Sequence, residues 1–147
     1  MESSSKEYYL IGSLRNPEIL ILGNELRANG IKIFDSWFAA GTEADNSWRD
    51  YCKNLGMTYQ EALQDYSAQH VFQFDKFHLD RCGGAILVYP AGKSAHLELG
   101  YIIGQGKPGF VLLDSTPDRY DVMLNFATGV FSSVNELVKK LKETKNV

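Results

Sequence analysis

Residues 82–114, CGGAILVYPAGKSAHLELGYIIGQGKPGFVLLD, constrain this chain more than any other stretch. They read as an apolar run, a polar loop, a helical segment, a glycine-rich turn and a second apolar run. Two short apolar runs separated by one helix suit a βαβ unit, because parallel strands need a crossover of that length. Strands at 85–89 and 109–113, with a helix at about 95–105 between them, are therefore expected. Ser94 is expected to cap that helix, with Glu98 in its first turn, just past the carboxyl end of the first strand. Open α/β sheets bind ligands in that crevice. A glutamate there adds little to packing and is well placed to touch a ligand.

The rest of the chain repeats the alternation. Residues 1–6 are polar and expected to fray. Residues 8–11 read as a first strand ending at Gly12. Asn16 reads as an N-cap with Pro17 at the first helical position. Ile19, Leu20, Leu22 and Leu26 recur at near-helical spacing up to Gly30, and residues 31–34 read as a second strand. Residues 35–57 read as irregular, with a helical turn around 48–53. Residues 58–81 read as one long helix with Leu63, Tyr66, Val71 and Phe74 turned inward. A short helix or turn at 119–128, a short fifth strand at Val130 and Phe131, and a helix at 133–143 complete the chain. That last helix is expected to bury Leu137 and Leu141 and to expose Lys139, Lys140 and Lys142. The expected fold is a single domain over 1–147, α/β, with a flavodoxin-like or Rossmann-like five-stranded parallel sheet and helices on both faces.

Composition narrows the function. A chain of 147 residues, 44% hydrophobic and 22% charged, can bury a core of its own. Its net charge of −3 gives no basic face for sequence-independent binding of nucleic acid. No apolar stretch reaches the roughly 20 residues that span a bilayer, and the first residues do not read as a secretory signal. Cys52 and Cys82 fit reduced thiols of a cytoplasmic protein. With His70, His78 and His96 they make no metal-ligand pattern, so neither a metal nor an organic cofactor is expected.

Several side chains are candidates for chemistry. In the turn after the first strand, Gly12 lets the backbone approach a ligand. Ser13, Arg15 and the free N–H groups of the next helix add donors for a phosphate or a sugar hydroxyl. The alternative is an ordinary βα turn with a solvated arginine. Glu98, near a helix N-terminus, is expected to be ionised, and a carboxylate can act as a nucleophile or steady a developing cation. It can equally just complement the helix dipole, although Leu97, Leu99, Tyr101, Gly100 and Gly104 around it suggest a packed helix. Asp75, among Val71, Phe72, Phe74 and Phe77, should hold its proton more tightly than usual, which suits an acid. Asp80 competes for that role, and either can be a plain surface acid. Tyr9 alternates along the first strand as a site or core tyrosine. Trp37, Phe38 and Trp48 can stack on a flat base or hold their loop down. His96 can line the same pocket or serve structure only.

These segments resemble the nucleoside 2-deoxyribosyltransferase family and its relatives, the deoxynucleoside 5′-monophosphate N-glycosidases. YLIGSLRN (9–16) is similar to the family's first strand and loop, with Tyr9 at its tyrosine position. FDKFHLDRCGGAILVYPAG (74–92) resembles the segment that bears the catalytic aspartate, which falls on Asp75. HLELGYIIGQGKP (96–108) is similar to the family's ELGYA-x-x-x-GKP signature and puts the nucleophile at Glu98. The resemblance implies cleavage or transfer at the N-glycosidic bond of (deoxy)nucleosides or their 5′-monophosphates. Glu98 would attack C1′ and form a glycosyl ester. Asp75 would protonate the leaving base, and Tyr9 would hold Glu98 by a hydrogen bond. Water as acceptor makes a hydrolase, another free base a transferase.

The chain departs from the pattern in two places. The family's transferases carry an acid six positions before the nucleophile, where this chain has Gly92. They also send an asparagine from a neighbouring subunit to the sugar; the matching stretch here is Asp121-Val122-Met123, where the monophosphate N-glycosidases tend to have serine. Asp121 would repel a 5′-phosphate, whereas Ser13, Arg15 and Ser94 would welcome one. The resemblance further implies a homodimer or higher homo-oligomer whose sites are completed between subunits. Two other readings stand beside it: a catalytically inactive nucleotide-binding module, and a glycohydrolase acting at the nicotinamide–ribose bond of NAD-like molecules.

Overall fold

A computed structural model describes residues 6–145, without the side chains of residues 144 and 145. Apart from Lys6, an exposed coil residue, the N-terminal segment expected to fray lies outside the described residues. Five strands, β1 (Glu7–Ile11), β2 (Lys32–Phe34), β3 (Gly84–Val88), β4 (Gly109–Leu112) and β5 (Gly129–Phe131), pair in parallel in the order β2-β1-β3-β4-β5. That is the flavodoxin-like order, with its switch point between β1 and β3.

The alternation of side chains along the strands builds two cores. Tyr8, Leu10, Ile86, Val88, Phe110 and Leu112 face one side, where α1 (Ile19–Ala28) and α6 (Val134–Lys145) cover them with Ile19, Leu26, Leu137 and Leu141. Tyr9, Ile11, Ala85, Leu87 and Val111 face the other, under Leu79 of α4 (Tyr66–Arg81) and Ala95, Leu99 and Ile102 of α5 (Lys93–Gly104). β3 is buried along its whole length, as a strand covered on both faces must be. Leu137 and Leu141 are buried as expected, and Lys139 and Lys142 are exposed. Lys140 is only partly exposed.

The segment expected to be irregular is ordered. A 3₁₀ turn at Ser36–Ala40 leads into α2 (Ala44–Asn54), whose partly buried Ala44 and Trp48 and buried Cys52 recur every fourth residue among polar ones. A stripe this thin in a polar sequence gives little periodic signal. The single helix expected over 58–81 is two. α3 (Tyr59–Gln64) starts with a capping box between Thr58 and Glu61. Asp65 then breaks the path with an extended backbone and caps α4, its Oδ2 accepting from the Ser67 N–H and hydroxyl at 3.3 and 2.7 Å. The break re-phases the inner face. Leu63, Tyr66, Val71 and Phe74, expected inside, are exposed, Tyr66 by 93%, and Leu79 is the buried residue of α4.

The first helix also begins later than expected. Asn16 Oδ1 accepts from the Glu18 N–H at 2.9 Å, so the capping side chain is right, but helical bonding starts only at Ile19. Gly12 lies close under α1: a Cβ there would lie 2.5 Å from Ile19 Cδ1, so the buried Ile19 side chain would have to shift.

Candidate functional site

Tyr9, Asp75 and Glu98 come from β1, α4 and α5 and meet on the face of the sheet that those helices cover. Tyr9 is a strand residue with only 1% of its surface exposed, its ring 5.1 Å from that of Phe34. Its hydroxyl lies close enough to Asp75 to favour the carboxylate, and it sits in the field of both carboxyl groups. Glu98, the expected partner of Tyr9, acts on the phenol through its charge. Burial, followed by the charges of Glu98 and Asp75, keeps the phenol protonated far above its ordinary range.

The depth of the site follows from element geometry. Gly92 is the N-cap of α5, and Ser94 makes no capping hydrogen bond. The helix therefore starts a little earlier than expected, and Glu98 is its sixth residue, in the second turn. Five helical steps put Glu98 about 7.5 Å below the helix start. Tyr9 lies two strand steps, roughly 7 Å, before the end of β1. The group is thus set down between the helices and the sheet, below the carboxyl edge rather than just past it.

That depth inverts the electrostatics expected of Glu98. Burial, reinforced by the charge of Asp75, pushes Glu98 up from 4.5 to about 8. The helix N-terminus does not keep it ionised, because dipole stabilisation fades beyond the first turn. Burial likewise raises Asp75 from 3.8 to about 6, against the opposing pull of the Tyr9 hydroxyl. The rise at Asp75 agrees with its expected aromatic surroundings. Between these two values the pair holds one proton. One carboxyl is then an acid while its neighbour is an anion. A site of this kind can donate a proton and supply a negative charge in one step.

A second group forms at the rim. The Tyr89 hydroxyl and His96 Nε2 are 3.0 Å apart, and His96 Nδ1 is 2.7 Å from the Gly92 carbonyl. The carbonyl can only accept, so Nδ1 carries the proton and Nε2 accepts from Tyr89. Asp121 reaches the same phenol electrostatically; burial first, then its charge, raises Tyr89. Gly92, His96 and Asp121 are thus brought together through Tyr89, a residue the sequence reading passed over. Its signal was its place directly after a buried strand and before Pro90. Asp121 also caps the 3₁₀ turn Val122–Phe126 through the Met123 N–H at 2.9 Å, and the Met123 side chain is exposed.

Other candidates are placed differently. Ser13 Oγ accepts from the Arg15 N–H at 3.1 Å within the β1–α1 turn, and Arg15 is exposed. Trp37 holds its loop down: its Nε1–H donates to the Leu10 carbonyl at 2.8 Å, and its ring packs against both cores. Asp80 is engaged by other groups. It accepts from Tyr101, Gln105 and Lys76, and these bonds keep it ionised well below the usual carboxylate range. The close packing expected at Gly100 and Gly104 is not seen; the space beside both is open, and Leu97 is exposed. Cys52 and Cys82 are free and buried. Among the described residues, no three His, Cys, Asp or Glu side chains converge as metal ligands would, and no helix is long and apolar enough to cross a membrane.

Fold and site together define an α/β protein of flavodoxin-like topology with a buried tyrosine beside two partly buried carboxyl groups near the switch point. Comparison of the chain with protein-family models and with curated proteins finds no match.

Proposed function

We propose that this protein cleaves or exchanges the N-glycosidic bond of nucleosides or their 5′-monophosphates, in the manner of the nucleoside 2-deoxyribosyltransferases and the related N-glycosidases. The observation that carries the reading is the convergence of Tyr9, Asp75 and Glu98 from three elements, where burial raises both carboxyls. Strongly perturbed titratable groups that face one another are a mark of functional sites. A retaining displacement at C1′ needs such a pair: an anion to attack and an acid to protonate the departing base.

In this mechanism Glu98 is the nucleophile and Asp75 the acid. In the free protein the pair holds a proton near neutral pH. Positive charge developing on the sugar beside Glu98 favours its anion, so the proton passes to Asp75 and on to the leaving nitrogen. The Glu98 carboxylate bonds to C1′ as the C1′–N bond breaks and its electrons go to the base. Asp75 then takes a proton from water or an incoming base, which releases the sugar from Glu98. The Tyr9 hydroxyl tunes Asp75 by favouring its anion. The protein is also read as a homo-oligomer, supported by the exposed Tyr66, Val71, Phe72 and Phe77 of α4.

The test is chromatography of purified protein with nucleosides and 5′-monophosphates, with and without added free base, beside Glu98→Ala. Base release or exchange that disappears in the variant is expected. Full activity of Glu98→Ala would end this mechanism. Saturable binding with no turnover would favour a nucleotide-binding module instead.

A further inference from the structure

We propose that Asp80, through its hydrogen bonds to Tyr101 and Gln105, is a positioning residue that sets how α4 sits against α5, and so how Asp75 meets Glu98. The Tyr101 hydroxyl donates to Asp80 Oδ1 at 2.6 Å and Gln105 Nε2 donates to the same oxygen at 2.9 Å. Lys76 Nζ donates to Oδ2 at 3.0 Å and lies 5.9 Å from the Tyr101 ring centre. Lys107, just past α5, donates to the Leu79 and Asp80 carbonyls at 3.1 and 2.7 Å. Those carbonyls close α4 and have no partner within the helix. Two ties thus run from α5 and the turn after it to the C-terminal end of α4.

The ties reach the site through rigid helix. Glu98, Tyr101 and Gln105 follow i, i+3 and i+7, so they share one face of α5. Glu98 stands only about 4.5 Å along the axis from Tyr101, and Asp75 about 7.5 Å from Asp80. Beneath them the helices rest on Leu79, Leu99 and Ile102, and apolar contact is non-directional. That packing holds the helices down, and the directional hydrogen bonds of Asp80 fix the relation between their ends. Tyr9 faces the carboxyl pair from β1, while Lys76, Tyr101, Gln105 and Lys107 are the groups around Asp80. Because Asp80 is exposed, its bonds add little to overall stability.

The functional side of this inference rests on the proposed N-glycosidic chemistry, but its main test does not. The side-chain carboxyls of Asp75 and Glu98 would be titrated by carbon-13 NMR in wild type, Asp80→Ala, Asp80→Asn and Tyr101→Phe. In Asp80→Ala both midpoints should fall by about one pH unit or more, as the pair separates and admits water. Asp80→Asn keeps an oxygen for Tyr101 and Gln105 and should restore most of the difference. Tyr101→Phe should shift the midpoints in the same direction, and should add little to Asp80→Ala, because both remove the same bond. Wild-type titration of both carboxyls in folded Asp80→Ala would overturn the proposal, whatever its melting temperature. If that variant does not fold, Tyr101→Phe decides by the same criterion. In the nucleoside assay, Asp80→Ala should lower kcat about 10–100-fold with KM little changed, the mark of misplacement. A wild type that turns over no nucleoside would sink the proposed function and leave the titration to judge Asp80.

Discussion

Replacing Glu98 by Gln should make the protein more stable in alkali and change it little in acid. Glu98 moves from its ordinary 4.5 to about 8 on folding. The native state therefore binds a proton more tightly than the unfolded chain does. Stability from this group is complete below pH 4.5 and is lost as pH rises through about 8. Each pH step in that window removes about 1.4 kcal/mol, so the whole window is worth about 5 kcal/mol for a carboxyl kept dry. Water reaching the partly open side chain brings the expected loss to about 2–4 kcal/mol. Glutamine carries no charge and loses none of it. Melting temperatures of wild type and Glu98→Gln, measured from pH 5 to pH 9, should run close together at the acid end. They should separate by about 5–15 °C at the alkaline end, with the variant higher, since 1 kcal/mol moves a domain of this size by roughly 2–4 °C. Parallel curves across the range would refute the burial argument, and with it the shared proton on which the mechanism depends.

Other measurements follow from the same geometry. The rate of base release should be bell-shaped in pH, with limbs near 6 and 8, because only the singly protonated pair has both an acid and an anion; a flat profile over that range would exclude it. Tyr9→Phe keeps the buried ring and removes the hydroxyl that opposes the rise at Asp75, so the acid limb should move to higher pH. Trp37→Phe strands the Leu10 carbonyl and should cost about 1–3 kcal/mol by urea denaturation, with loss of activity as the loop loosens.

The five-stranded parallel sheet and the helices on both of its faces were legible in the chain. Short apolar runs separated by helical segments can only close into a sheet of this kind, and Asp75 stands in a sequence crowded with aromatics. What was not legible depended on where helices begin. Asp65 breaks α4 from α3 and turns the expected inner residues outward, and Gly92 starts α5 early enough to put Glu98 in the second turn. Local pattern carries the period of a helix but not its phase against a sheet, which is decided by caps and by packing. The same limit applies to charge. Composition identified the carboxyl groups, but their protonation depends on desolvation and on each other's distance, and these exist only once β1, α4 and α5 have come together. Only the tertiary structure could bring Tyr9, Asp75 and Glu98 together, join Asp80 to Tyr101 and Gln105 across two helices, and raise both partly buried acids.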